Sequence, residues 1–257
     1  MSTPETGSDA LPFVAPCREL APLAPLRWLA LGWRDLKSAP AQSLGFGAGI
    51  TILSLLVAGI ALRYGTGWLL LMLLSGFVFV APVLAIGVYA ISAALAHGRR
   101  PTFGESLATA RRDLGDALVY SLILLVISLL WVRAGSAVEI FFPEEAMPSR
   151  AELAVFLAIG SAVGSVFALV AFAASAFSLP MIVDRRTDAV TGVVTSINAV
   201  LRNKRAMAVW VALIVLSVAV GFATAMLGLA LTMPLIGHAT WHAYRETIDA
   251  SQWPAKY

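Results

Sequence analysis

The sequence predicts an all-α, polytopic transmembrane helix bundle, and three observations carry that expectation. Hydrophobic residues fill 59% of the 257 positions and charged residues only 13%, against roughly 45–50% and about 25% in soluble domains. The apolar residues gather into stretches long enough to cross a hydrocarbon core of roughly 30 Å as helix. Lys and Arg cluster on alternate connections between those stretches, the pattern that fixes orientation in a bilayer. A water-soluble globule is excluded. The single cysteine, Cys17, and only three histidines exclude an internal disulfide and the usual Cys-based zinc patterns.

Residues 1–24 are Pro-rich and polar, with no basic stretch leading into an apolar one. They read as a flexible cytoplasmic tail without a cleaved signal peptide. Cys17 follows Val14-Ala15-Pro16, but the apolar run that lipoprotein processing needs is missing, so no lipid is expected there. Over residues 25–38, Leu26, Leu29, Trp33 and Leu36 recur at helical spacing while Arg27, Arg34, Asp35 and Lys37 fall elsewhere on the wheel. This predicts an amphipathic interfacial helix lying flat, with Trp28 and Trp33 at headgroup depth. Pro25 suits its first turn and Ser38-Ala39-Pro40 ends it.

The transmembrane domain is expected over residues 39–246. Its apolar segments fall near Leu44–Leu62, Trp68–Ala96, Ala117–Phe142, Leu153–Val183 and Ala206–Leu235. As one helix the last would be roughly 45 Å long at 1.5 Å per residue, and its apolar character continues to Tyr244. Two spans, about Met207–Gly221 and Ala225–Tyr244 with a turn at Gly221–Thr224, therefore fit better. Six spans are expected; five is the alternative, with one long helix kinked at Pro234. Residues 247–257 form a short C-terminal tail.

Charge sets the orientation. Arg18, Arg27, Arg34 and Lys37 precede the first span. Arg99, Arg100, Arg111 and Arg112 lie between the second and third, and Arg185, Arg186, Arg202, Lys204 and Arg205 between the fourth and fifth. These connections are expected in the cytoplasm. Arg63 stands alone on one opposite connection, and Arg150 among Glu139, Glu144, Glu145 and Glu152 on the other.

Both internal basic connections carry a short helix pattern. Near residues 102–115, Thr102-Phe103-Gly104-Glu105 is a capping box and Phe103, Leu107, Ala110 and Leu114 form an apolar stripe. Near residues 188–203 the stripe is Val190, Val193, Val194, Ile197, Val200 and Leu201. Pro82 and Pro180 precede the two helices in parallel fashion. An approximate duplication of the kind found in transporters is one reading.

Few residues offer chemistry. His238 and His242 stand four apart on one helical face, a spacing that can present two imidazoles to a metal or a haem. Two ligands do not complete a site, and the competing reading places Trp241, His242, Tyr244 and Arg245 in an interfacial belt. Arg133 is the one charge deep in a span, to be read as a snorkelling or paired side chain, or as part of a pathway. Gly160, Gly164 and Ala168 put small residues at every fourth position of the fourth span, and Gly45 and Gly49 do so in the first. Such faces are expected to pack helix on helix. No nucleophile elbow, zincin motif or catalytic carboxylate pair appears, so no enzyme and no cofactor are expected. The basic clusters flank membrane, which points to anionic headgroups as partners and not to nucleic acid.

Several stretches resemble a known family. They are Leu31-Gly32-Trp33-Arg34-Asp35-Leu36; Gly76-Phe77 with Pro82, Gly87, Tyr89 and Ser92; Ser178-Leu179-Pro180-Met181 with Asp184; and Pro234 through Arg245, reading PLIGHATWHAYR. From about Trp28 to Arg245 the chain resembles the bacterial predicted integral membrane proteins grouped as domain of unknown function 2189. The resemblance implies a multi-span protein of a bacterial inner membrane. It implies no activity and no site residues.

The functional expectation is a non-enzymatic membrane scaffold or accessory subunit, packing against a larger membrane complex or a second copy. A small-solute transporter or channel is the alternative, and a metal- or haem-binding redox protein the third reading.

Overall fold

A computed structural model of the chain describes residues 12–139 and 149–256. Helices account for 81% of the structure, with no strands among the described residues. In chain order they are α1 (Ala24–Ser38), α2 (Pro40–Tyr64), α3 (Gly67–Ala96), α4 (Phe103–Arg112), α5 (Leu114–Glu139), α6 (Arg150–Ser175), α7 (Ser178–Asp184), α8 (Ala189–Arg202), α9 (Lys204–Ala223) and α10 (Leu229–Thr247).

Five stretches are long and apolar enough to cross a bilayer: Pro40–Tyr64, Ser75–Ala96, Leu114–Ala137, Arg150–Asp184 and Lys204–Ala223. The apolar run after Lys204 is not a single kinked helix. α9 stops at Ala223, and a turn through Thr224–Gly228 sends α10 back along it. The turn lies a few residues beyond the Gly221–Thr224 expected. Ala225 and Met226 hold it with positive φ angles of 51° and 69°, a conformation that propensity does not signal for these residues. Near its end α10 reaches Trp28, which also meets Trp210 at the start of α9. α10 therefore returns to the end where α9 began. It makes a sixth pass, although its own composition does not mark it as a span.

All connections rich in Lys and Arg gather at one end, called here the basic end. The core lies there too. The buried residues of α2 are Ser43, Phe46, Gly47 and Thr51, all in its first half. Those of α3 are Pro82 and the run from Ile86 to Ala94, and those of α9 are Ala206, Met207 and Trp210 in its first half with Gly221 alone near its far end. The most apolar window of the α6–α7 stretch contains no buried residue. Away from the basic end the spans present apolar side chains outward, as hydrocarbon requires.

Three sequence expectations need correction. Residues 12–24 are not a free tail: Ala15 is wholly buried, its N–H donates to Thr195 Oγ1 at 3.1 Å, and Arg18 N–H donates to the Thr247 carbonyl at 2.8 Å. Residues 1–11 lie outside the described residues. The segment from Ile248 to Lys256 is likewise docked, with Trp253 buried and Lys256 N–H bonded to the Asp184 carbonyl. Short strap-like pairings of this kind have no periodicity for a sequence to display.

The second correction concerns the short helices. α4 begins at its capping box, with both halves formed between Thr102 and Glu105. Its apolar stripe faces out only in part: Phe103, Leu107 and Leu114 are exposed, while Ala110 of the stripe is buried together with Ser106 and Thr109. In α8 the stripe is divided: Val190 and Leu201 are exposed, but Val193 is buried and Ile197 and Val200 pack against the core, beside buried Thr195, Ser196 and Ala199. In α1, Leu26 and Trp33 are exposed, whereas Leu36 of the predicted stripe is buried and Leu29 packs against the core, together with buried Trp28, Gly32 and Asp35. Trp28 is thus packed inside the protein, not presented to its surroundings. In these three helices small and polar residues take up part of the inward face, beside large buried side chains such as Trp28, Trp210 and Phe177.

The third correction is the expected packing stripe of α6. Gly160 and Ala168 are exposed, and the position of a Cβ on Gly160 meets nothing within 4 Å. Gly164 comes only to ordinary contact distance of the Trp131 indole. The glycines that close the bundle are elsewhere. A Cβ on Gly32 would meet the Ala239 nitrogen at 2.7 Å, and one on Gly47 would collide with the Ala230 carbonyl. Of the first-span pair, Gly45 meets the Phe103 ring and Gly49 is open.

The α8 cap is an electrostatic device. Asp188 accepts from the N–H groups of Val190 and Thr191, both at 2.9 Å, and from the Thr191 hydroxyl at 2.7 Å. Partial burial alone would raise its pKa, but these bonds outweigh that effect and hold it below the usual carboxylate value. The stabilisation is therefore present above the ordinary carboxylate range and lost as pH falls through the lowered value. In detergent, Asp188→Asn should lose less stability on acidification than wild type; equal acid-side slopes in thermal melts would contradict this.

Gly47→Val should lower the melting temperature by the equivalent of about 1–3 kcal/mol, the usual cost of overpacking. Gly49→Ala, two residues along on an open face, should be neutral or slightly stabilising. Thermal unfolding followed by tryptophan fluorescence compares them directly.

Candidate functional site

Four helices meet at a buried polar chain. α1 contributes Asp35, α2 Ser43, α3 Ser92, and α10 both His238 and His242. Each helix brings its member inward for a local reason. Pro40 starts α2 immediately after α1, so Ser43 lies in the first turns of α2, close to the end of α1 that carries Asp35. Gly32, one turn before Asp35, lets α1 approach the α10 backbone at Ala239. Gly237 meets Val88 of α3, four residues before Ser92. The i, i+4 spacing of the histidines then places both rings on the face of α10 turned toward Asp35.

The hydrogen bonds run without interruption. Ser43 Oγ lies 2.8 Å from His238 Nε2, and Ser92 Oγ 2.7 Å from His238 Nδ1. Ser92 Oγ lies 2.9 Å from Asp35 Oδ2, and His242 Nε2 reaches the same oxygen at 2.8 Å. His238 and Ser43 are wholly buried, Ser92 is 1% exposed and Asp35 6%. The His242 side chain, at 18%, is the most open member.

Counting protons fixes the direction of these bonds. An ionised Asp35 only accepts, so Ser92 spends its one O–H on Oδ2 and His242 donates Nε2–H to it. Ser92 must then accept from His238, which carries its proton on Nδ1. His238 Nε2 is left as the acceptor for the Ser43 hydroxyl. The chain reads Ser43 O–H to His238, His238 N–H to Ser92, Ser92 O–H to Asp35, with His242 N–H arriving at the same oxygen from the other side. Chemically this is a base oriented through a bridging hydroxyl by a carboxylate, with a serine hydroxyl at its far end.

The pair singled out in the sequence is therefore brought together, but not as two free imidazoles. Both nitrogens of His238 are engaged by serine hydroxyls, and one of His242 by Asp35. His97 lies apart, its Nδ1 donating to the Ala93 carbonyl at 2.8 Å. Among the described residues no group of three His, Cys, Asp or Glu side chains could hold a metal ion. The interfacial belt is also corrected: Trp241 is fully buried, and Tyr244, 1% exposed, donates to Asp184 Oδ2 at 2.7 Å. Arg133 is exposed on α5 toward the end remote from the basic one. The Glu139 side chain lies outside the described residues.

The sequence assigns Asp35 and Ser92 no role beyond membership of the stretches that resemble the family, and does not single out Ser43. Asp35 sits among Arg34 and Lys37 and looks solvated, while the two serines are single polar residues inside apolar runs. Two signals were available: Asp35, Ser92, His238 and His242 all fall in the stretches that resemble the family, and Asp35 lies a turn from Gly32 as His238 lies beside Gly237.

A second carboxylate, Asp184 at the end of α7, gathers the basic end. It accepts from Tyr244, from Arg185 at 2.9 Å and from Arg245 at 3.4 Å. Asp113 similarly takes Arg112 and, at 2.9 Å, Lys256. A cleft of about 530 Å³, lined by Arg186, Thr187, Trp253 and Lys256 among others, opens at this end and not on the histidine chain.

Ser92→Ala should leave the His238 Nδ1–H and the Asp35 carboxylate short of a partner, at a cost of about 1–3 kcal/mol. Ser92→Thr should retain most of the stability. In wild type, nitrogen NMR of labelled histidine should find His238 as the Nδ1–H tautomer; the Nε2–H form would refute the proton count.

Residues 69–184 match a family model described as "Predicted integral membrane protein (DUF2189)". The matched segment runs from the start of α3 to the end of α7, shorter than the Trp28–Arg245 stretch on which the resemblance was noted. Of the polar chain it contains Ser92 alone. No curated protein and no solved structure matches the chain.

Proposed function

We propose that this integral membrane protein, which over residues 69–184 carries the DUF2189 segment, is a non-enzymatic scaffold or accessory subunit of a bacterial inner membrane. The observation that carries the reading is the distribution of packing. The basic end is stitched shut by both terminal straps, by Asp184 and by the four-helix polar chain. The remote halves of α2, α5, α6 and α9 expose apolar side chains such as Leu56, Leu130, Leu157 and Leu216. A close-packed head on helices whose remote halves expose apolar side chains suits a part that holds a neighbour within the bilayer.

Orientation follows from the positive-inside rule, with the basic end and both termini in the cytoplasm. Exposed Arg34, Lys37, Arg99, Arg100 and Arg111 then face anionic headgroups, each contact being worth about 1 kcal/mol near a charged surface. The scaffold reading is favoured over a solute transporter because the polar residues at the crossing of α2, α3 and α10 are bonded to one another and packed out. It is favoured over a redox role because His238 has no uncommitted ring nitrogen.

Extraction of the tagged full-length chain in mild detergent should bring down one membrane partner, or a second copy, in near-stoichiometric amount. A monodisperse monomer with no companion, found repeatedly across mild detergents, would oppose the reading. So would a defined turnover by the isolated chain.

A further inference from the structure

The cleft of about 530 Å³ at the basic end is walled by four separate parts of the chain. Asp116 comes from the first turn of α5, Arg186 and Thr187 from the connection between α7 and α8, Trp253 and Lys256 from the C-terminal strap, and Phe13 from the N-terminal one. Backbone pairing holds two of these walls together: Arg186 N–H donates to the Pro254 carbonyl at 2.9 Å, and Arg185 bridges to Ala255. Its volume is that of a small-ligand site.

The charges on the cleft do not cancel within the protein. Lys256 is committed to Asp113, 2.9 Å away, and Asp188 to the cap of α8. Among the described residues the half-buried Asp116 carboxylate has no hydrogen bond and no ion pair; Asp113, Asp188 and Lys256 reach it only through their charges, and two of those three are negative. This side of the cleft suits a cation that donates hydrogen bonds. The other side carries the exposed Arg186 guanidinium, which pairs with no carboxylate among the described residues. Beside it the Thr187 hydroxyl is buried without a hydrogen-bond partner, a donor left over for an oxygen acceptor. A guanidinium with a neighbouring hydroxyl is suited to phosphate. Arg186 and Asp116 do not pair with each other, so a ligand that satisfies both must carry both signs. Trp253, 2% exposed, is too covered to stack a quaternary ammonium on its face, which favours a primary ammonium bonded to carboxylate.

The depth of the cleft points to where such a ligand comes from. The α5 span begins at Leu114, so Asp116 stands where hydrocarbon gives way to headgroups. From Asp116 a stripe at helical spacing runs down α5 through Val119, Ile123, Val126 and Leu130. Val119, Val126 and Leu130 are exposed, a track on which an acyl chain can lie.

We infer that the cleft holds the headgroup of a phosphoethanolamine-type phospholipid, with the ammonium on Asp116, the phosphate on Arg186 and Thr187, and an acyl chain along the exposed stripe of α5. This goes beyond the scaffold reading and does not rest on it. A glycerol headgroup lacks the cation, and a choline headgroup has no N–H to donate.

Native mass spectrometry of the full-length protein in mild detergent, supplied with phosphatidylethanolamine, phosphatidylglycerol and phosphatidylcholine of identical chains, tests the assignment. Phosphatidylethanolamine should be retained at least several-fold better than the other two. Asp116→Asn and Arg186→Gln, on opposite walls, should each bring it down to their level, whereas Arg133→Gln at the remote end should leave the preference unchanged. Tryptophan-fluorescence melts verify that each variant is folded, and either one alone suffices if the other is not. Equal retention of the three lipids overturns the proposal, as does an undiminished preference in folded Asp116→Asn or Arg186→Gln. Soluble glycerophosphoethanolamine should compete only weakly; displacement of the lipid at equal concentration would assign the same headgroup chemistry to a soluble ligand and overturn the lipid source.

Discussion

One carboxylate oxygen holds the centre of this protein. Asp35 Oδ2 accepts from Ser92 of α3 and from His242 of α10, and through Ser92 it fixes His238 and, beyond it, Ser43 of α2. Hydrogen bonds to a charged group contribute about 1.5–3 kcal/mol each, more than neutral ones, and a buried carboxylate without them would be strongly unfavourable. Burying Asp35 therefore requires all four helices to be in register. α1, which a wheel projection would leave on the membrane surface, becomes part of the bundle because its carboxylate is needed inside it.

The rest of the packing follows from that constraint. α10 must lie close enough to α1 and α2 for side chains as short as serine and aspartate to reach its histidines. Glycine supplies that proximity at Gly32 and Gly47, where any Cβ would strike the α10 backbone. At the basic end the Asp113–Lys256 ion pair, the Asp184 carbonyl accepting from Lys256 N–H and Arg185 donating to the Trp253 carbonyl hold the C-terminal strap, and Asn203 Oδ1 takes the Leu20 N–H at 2.9 Å to pin the N-terminal one. The two straps clamp the helix ends that carry the polar chain. Away from the basic end no comparable network operates, and the helices meet hydrocarbon instead.

How much of this could be read from the sequence depends on the physical signal involved. The α1–α2 boundary at Pro40, the α4 capping box at Thr102 and Glu105, and the spans through Ala96 and from Lys204 were legible because prolines, caps and long apolar runs act locally. The turn at Ala225–Met226 was misplaced by a few residues, because neither residue favours the conformation it adopts. His238 and His242 were noticed for their spacing, but their role was hidden. Their partners come from 146 to 207 residues away along the chain, and nothing local marks Asp35, Ser43 or Ser92 as belonging together.

By itself the sequence determined that the chain lives in a membrane, roughly where it enters and leaves the apolar phase, and which connections carry positive charge. Those are transfer free energies summed over contiguous residues, and they need no knowledge of neighbours. Only the tertiary structure decided which face of each helix turns inward. In water the apolar stripe marks the buried side, but in lipid it no longer does, since hydrocarbon receives Leu26, Leu107 or Leu201 as readily as a protein core. The inward side also depends on where glycines permit close approach and polar groups find one another, which is a property of pairs of helices rather than of any one of them.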